Sequence, residues 1–129
     1  MKFTLQREDS ANLIRRYGPD YIVVGERELR DSCIVGPGSI TPWPPHSVDE
    51  LTAEHLPPLF ALNPEVVVLA TGATQRFPRA ALRAEFASRK IGLEVMEIGA
   101  ACRTYNVLVD EGRNVLAAVM LPASRKQSE

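Results

Sequence analysis

The run Gly99-Ala-Ala-Cys-Arg-Thr-Tyr-Asn106 gathers more chemistry than any other stretch of the chain. It follows the strand-like Leu93-Glu-Val-Met-Glu-Ile98 and reads as a small-residue loop, 99–104, opening an amphipathic helix. Such a bend after a parallel strand sets backbone N–H groups at the sheet rim, where α/β proteins hold ligands. Arg103, in the first turn, would add charge-assisted bonds to a carboxylate or phosphate. A second small-residue loop, Thr71-Gly-Ala-Thr74, leaves the β-branched run Val66-Val-Val-Leu-Ala70. If those two strands are parallel neighbours, both loops share one rim and leave a crevice for a small anionic ligand. Its candidate residues are Thr71, Gly72 and Ala73 on one side, and Gly99, Arg103, Thr104, Tyr105 and Asn106 on the other. A structural reading competes with this one. Small residues also let helix and strand pack closely, Tyr105 would bury its ring and satisfy its hydroxyl, and Asn106 would bond a neighbouring backbone.

Other chemistries find less support. His46 and His55 lack the HxxxH or HExxH spacing of a metal site, so no metal is expected. There is no GxSxG elbow, no GxxxxGK[ST] and no GxGxxG. Cys102 beside Arg103 is the one candidate reactive thiol, because a helix N-terminus lowers a thiol pKa, but a buried inert cysteine is the expected reading. No catalytic residue and no cofactor are assigned. Two cysteines far apart, Cys33 and Cys102, are expected as free buried thiols. A net charge of −1 argues against a nucleic-acid partner. No apolar run approaches the ~20 residues needed to span a bilayer. The start of the chain has no hydrophobic signal core, so a soluble, cytoplasmic protein is expected.

The 129 residues, 45% hydrophobic and 24% charged, fit one globular domain over 1–129, with polar ends at 1–10 and 123–129 expected to be flexible. Residues 12–17, 21–24 and 28–35 predict three strands of an antiparallel meander, with Leu29, Asp31, Cys33 and Val35 on one side of the third. The four prolines of Gly36–Pro45 exclude a helix, and Ile40–Trp43 predicts a brief edge strand. Trp43 is expected to anchor this loop, which is also a candidate interaction element. Ser47-Val-Asp-Glu50 spells a capping box, and Thr52–Leu62 predicts a short helix with prolines in its first turn. Strand 66–70, helix 79–90 and strand 93–98 form a right-handed βαβ unit, with a left-handed cap expected at Gly92. A helix from about Ala100 to Val109 follows, with Ala101, Tyr105 and Leu108 inward and Gly112 as its cap. Val115–Leu121 is a strand apolar on both faces.

Several of these segments together resemble a family of small α/β proteins that includes the mitochondrial complex I assembly factor three and prokaryotic relatives. The closest resemblance lies in Gly99–Arg113, with its small-residue turn, Arg-Thr-Tyr-Asn and Glu-x-Arg, backed by Val115–Leu121. Ser32–Val35 with Trp43 matches the family's strand, turn and tryptophan. Leu69–Ala73 matches its Gly-Thr-Gly loop in part, with Ala70 and Ala73 in place of two glycines. The resemblance covers nearly the whole chain after residue 10. It implies a three-layer α/β fold, with a mixed central sheet, helices on its faces and a small antiparallel sheet to one side. It also implies no established catalytic activity and a role through protein partners. With no mitochondrial leader evident, the chain is expected to sit nearer the prokaryotic members. Two functions stay open: a non-enzymatic interaction or assembly protein, and a small-molecule binding protein or enzyme using the 71–74/99–104 crevice.

Overall fold

The computed structural model describes residues 11–123. The polar ends, 1–10 and 124–129, lie outside the described residues. The β-branched runs form the centre of a five-stranded mixed sheet. Its strands are β4 (Cys33–Gly36), β5 (Ser39–Pro42), β6 (Val66–Ala70), β7 (Gly92–Met96) and β8 (Val115–Val119), in the order β5-β4-β8-β6-β7. β6 runs parallel to both β7 and β8, while β4 is antiparallel to β5 and β8. Strand alternation sends Val66, Val68, Ala70, Val115, Ala117 and Val119 to one face, and Val67, Leu69, Leu116 and Ala118 to the other. Both faces are covered, which is why these two strands read as unbroken apolar runs.

Three helices and a second sheet supply the covers. The first face lies under α3 (Ile98–Asp110) and a three-stranded antiparallel sheet of β1 (Ile14–Gly18), β2 (Tyr21–Val24) and β3 (Arg27–Leu29). The second face packs on α1 (Pro57–Phe60), α2 (Ala80–Ser88) and the proline-rich loop. This is the three-layer α/β arrangement expected, with its N-terminal meander.

Several boundaries differ from expectation. The predicted strand 28–35 is two strands in two sheets. Arg30 and Asp31 are exposed at the break. Ser32 is buried and its Oγ accepts from Leu121 N–H at 2.8 Å, which pins the crossing to the main sheet. Leu29 and Cys33 therefore belong to different sheets, although both pack against the same core. The Ser47 side chain forms no cap; Glu50 instead accepts from His46 N–H at 2.9 Å. The capping pair sits later, where Thr52 N–H donates to His55 Nδ1 at 3.0 Å. The predicted helix 52–62 is a 3₁₀ turn, Ala53–His55, followed by the single α-turn of α1. Helix α2 ends early at Ser88, so the left-handed position falls at Lys90 (φ 60°), and Gly92 begins β7 instead. Gly112 does cap α3, at φ 79°. The inner stripe of α3 is Ala101, Cys102, Tyr105 and Val109, with Leu108 only partly buried.

Trp43 is 3% exposed, and its indole N–H donates to His55 O at 2.9 Å. That bond ties the proline-rich loop to the turn before α1. Trp43→Phe should lower stability by about 1–3 kcal/mol, because His55 O loses its donor. Urea unfolding checks this: the midpoint should fall with an unchanged slope.

Candidate functional site

The sheet rim is built as the parallel strands require. β6 and β7 end side by side, and Ile98 N–H donates to Gly72 O at 2.8 Å, joining loop 71–74 to the start of α3. The two segments do meet, but the second is not a loop. Residues 99–104 are the opening turns of α3, with Gly99, Ala101 and Cys102 buried. The loop at 71–74 is braced internally. Thr71 Oγ1 donates to Thr74 O at 2.7 Å and accepts from Arg76 N–H at 3.1 Å. Gly72 has φ 102°, and an added Cβ there would meet nothing within 4 Å. Its glycine answers a backbone requirement rather than a close approach. Ala73 beside it is exposed.

The helix N-terminus carries its own anion. Glu97 at the N-cap accepts from Gly99 N–H at 2.7 Å through Oε1 and from Ala100 N–H at 2.8 Å through Oε2. Ile98 N–H is held by Gly72, and Ala101 N–H bonds Glu97 O at 2.9 Å. The orphan donors of Ile98, Gly99 and Ala100 are thus all engaged, and Ala101 begins the regular helical bonds. The expectation of free N–H groups awaiting an anion is corrected on this point. The two backbone bonds to its carboxylate hold Glu97 below the usual carboxylate range.

The four polar residues that follow diverge around the helix. Tyr105 is fully buried, and its hydroxyl donates to Asn12 O at 2.7 Å. Asn106 faces β1: its Nδ2 donates to Ile14 O at 2.9 Å and its Oδ1 accepts from Ile14 N–H at 2.9 Å. This side-chain amide pairs both backbone groups of one strand residue, as a neighbouring strand would. Asn12 extends the link, its Nδ2 donating to Gly36 O at 3.0 Å in the β4–β5 turn. Thr104 is half-buried. Arg103 turns toward β1 and donates from Nη1 to Tyr17 Oη at 3.2 Å.

Arg103 borders a concavity of about 410 Å³ whose other walls come from β1, β2 and α3, including Arg15, Arg16, Tyr17 and Tyr21. None of residues 71–74 borders it. The structure therefore separates Arg103 from the loop with which the sequence paired it. The tyrosine is admitted by Gly99: an added Cβ would lie 2.7 Å from Tyr17 Oη. Residues of β1 and the cap Glu97 were missed in the sequence. The consecutive arginines Arg15 and Arg16 in a predicted strand are the available signal for the first. Glutamate is not among the favoured N-caps, so the second had none.

Burial rather than the helix start governs Cys102. Its thiol is pushed up to about 12, with the Glu97 charge acting in the same direction. Cys33 is also raised to about 12 by burial, and both cysteines are free. Burial raises the Tyr105 phenol as well. Among the described residues no cluster of His, Cys, Asp or Glu has a metal-binding arrangement.

A family model described as a protein of unknown function, DUF498/DUF598, matches residues 14–120, which span both sheets and all three helices. A Danio rerio protein named NADH dehydrogenase (ubiquinone) 1 alpha subcomplex assembly factor 3 is 33% identical over 121 residues, covering 92% of this chain and 70% of that one. The Bos taurus protein of the same name is 35% identical over 122 residues, covering 92% and 66%. Parts of these relatives thus lie beyond what this chain spans. The NMR structure of a Xanthomonas campestris protein superposes with a TM-score of 0.80 at 38% identity, covering 88% of this chain and 87% of that one.

Asn106→Ala should cost about 1–3 kcal/mol, since Ile14 loses partners for both backbone groups; thermal unfolding of the variant measures it. The raised thiols predict that neither cysteine is alkylated in the folded protein at neutral pH, and that both react in denaturant. Their linkage has a definite sign. An acid whose folded value is raised holds its proton more tightly when folded, so stability should fall as pH rises above the ordinary thiol value of 9.0 toward about 12. Denaturation midpoints across that alkaline range check it.

Proposed function

The chain belongs to the DUF498/DUF598 family, and from that membership we propose that it is a non-enzymatic, assembly-factor-like interaction domain resembling the complex I assembly factors. The observation that carries this reading is the 92% of the chain aligned with relatives named as assembly factors. An alignment of that length takes in most of the chain rather than one motif. The site chemistry supports it. Tyr105, Asn106, Glu97 and Thr71 spend their polar atoms on backbone groups of the same chain. A partner protein would meet the surfaces these bonds hold in place: the rim at 71–74, the proline-rich loop and the outer side of α3. Trp43 serves as the buried anchor of that loop, so the loop rather than the indole is what a partner would touch.

Among the described residues no helix is long and apolar enough to cross a membrane. We place the protein in the cytoplasm as part of the same reading, since its two free, buried thiols suit a reducing compartment. The experiment is deletion of the gene in the organism that encodes it, followed by native electrophoresis of the membrane NADH:ubiquinone oxidoreductase. Loss of the mature complex with accumulation of partial assemblies is the expected result, restored by the wild-type gene. An unchanged amount of mature complex would refute the assembly role.

A further inference from the structure

We infer that the cup between β1, β2 and α3 is a docking site for an acidic segment of a partner protein. The inference rests on the protein-interaction reading and adds to it the place and chemistry of contact. Three guanidinium-bearing residues, Arg15, Arg16 and Arg103, border this one concavity. None of them makes an ion pair within 4.0 Å among the described residues. Among the described residues, Glu97 is the acid whose charge acts on Arg103, and its carboxylate oxygens are spent on the helix start. Asp20 pairs with Arg30 at 3.5 Å. The whole chain carries a net charge of −1, so this is a local concentration of positive charge on a nearly neutral protein.

The backbone has the irregularity that such a cluster needs. A regular strand sends consecutive side chains to opposite faces, so Arg15 and Arg16 would not ordinarily border one hollow. Between Ile14 and Arg16 the β1–β2 register shifts: Ile14 pairs with Val24 and Arg16 with Val23. A bulge of this kind re-aims side chains, and it lies at the residue that Asn106 clamps. The cup is thus held by the same bonds that join the two sheets. Tyr17 and Tyr21 add phenol groups and ring surface on the rim.

The shape favours carboxylates spread along a chain over a single phosphate. A phosphate cradle uses converging backbone donors, and those at the nearby helix start are taken by Glu97. Arginines distributed around an open hollow match several planar carboxylates, each through its own fork of N–H donors.

The test is an NMR titration of the isotopically labelled protein with a short glutamate-rich peptide, its glutamine counterpart, inorganic phosphate and single-stranded oligouridine. Shifts at Tyr17, Tyr21, Arg103 and Asn106 with the acidic peptide alone, weakening as salt is added, are the expected result. Charge removal in Arg15→Gln/Arg16→Gln should weaken peptide binding by roughly tenfold or more. Both arginines are exposed, and the variant's spectrum shows whether it is folded. Should it not fold, the comparison of acidic and neutral peptides on the wild-type protein decides alone. No shift at the cup, equal binding of the neutral peptide, or tighter binding of phosphate or oligouridine would overturn the inference. Each of those results leaves the gene-deletion experiment free to succeed or fail separately.

Discussion

Asn106 reaches from α3 to the free edge of β1 and satisfies both the N–H and the C=O of Ile14. Beside it, the Tyr105 hydroxyl takes the carbonyl of Asn12, and the Asn12 side chain takes the carbonyl of Gly36. These bonds link three elements that the hydrophobic core alone would leave free to slide: the small sheet, α3 and the β4–β5 turn. Apolar contact is non-directional, and it fixes that Ile14, Ile22 and Val24 are buried without fixing their register over the helix. A side-chain amide paired with one residue's backbone does fix it. Removing such a partner strands the two backbone groups of Ile14 at a cost of about 1–3 kcal/mol, a large share of the stability of a domain this size.

Around this joint lie the close approach of Tyr17 to Gly99, the bulge in β1 and the hollow beside Arg103. The Arg-Thr-Tyr-Asn run is a joint first. Two of its residues, Tyr105 and Asn106, face inward to hold the sheets together. Arg103 faces outward and lends its charge to the surface that the joint creates. In a family with relatives named as assembly factors, a domain with a charged hollow suits the docking role proposed above. It needs no catalytic group, and steering by complementary charge acts at longer range than packing does.

Much of this was legible from residues alone. Val66–Ala70 and Val115–Val119 announce central strands by being apolar on both faces, and the βαβ order of 66–70, 79–90 and 93–98 makes the parallel pairing of β6 with β7 predictable. The burial of Tyr105 and the bonding of Asn106 to backbone also follow from their helical spacing and chemistry. The failures have physical causes. The split of 28–35 depends on Ser32 bonding to Leu121, a contact between residues 89 apart in sequence, which no local pattern encodes. The sequence predicts Ile98 as the end of strand 93–98 and a loop at 99–104, because glycine and alanine are ambiguous and the capping acid Glu97 is an unfavoured type. Arg103, expected at the 71–74 rim, faces β1 for a related reason. Helical rotation carried it toward β1, whose position over α3 is set by the joint itself.

Native-state hydrogen exchange on Asn106→Ala tests the joint most directly. The amides of Ile14 and of the β1–β3 ladder should lose protection together, while Val67, Leu69 and Ala117 of the central strands keep theirs. Retention of wild-type protection across β1–β3 would contradict the account, because the small sheet would then be held by packing alone.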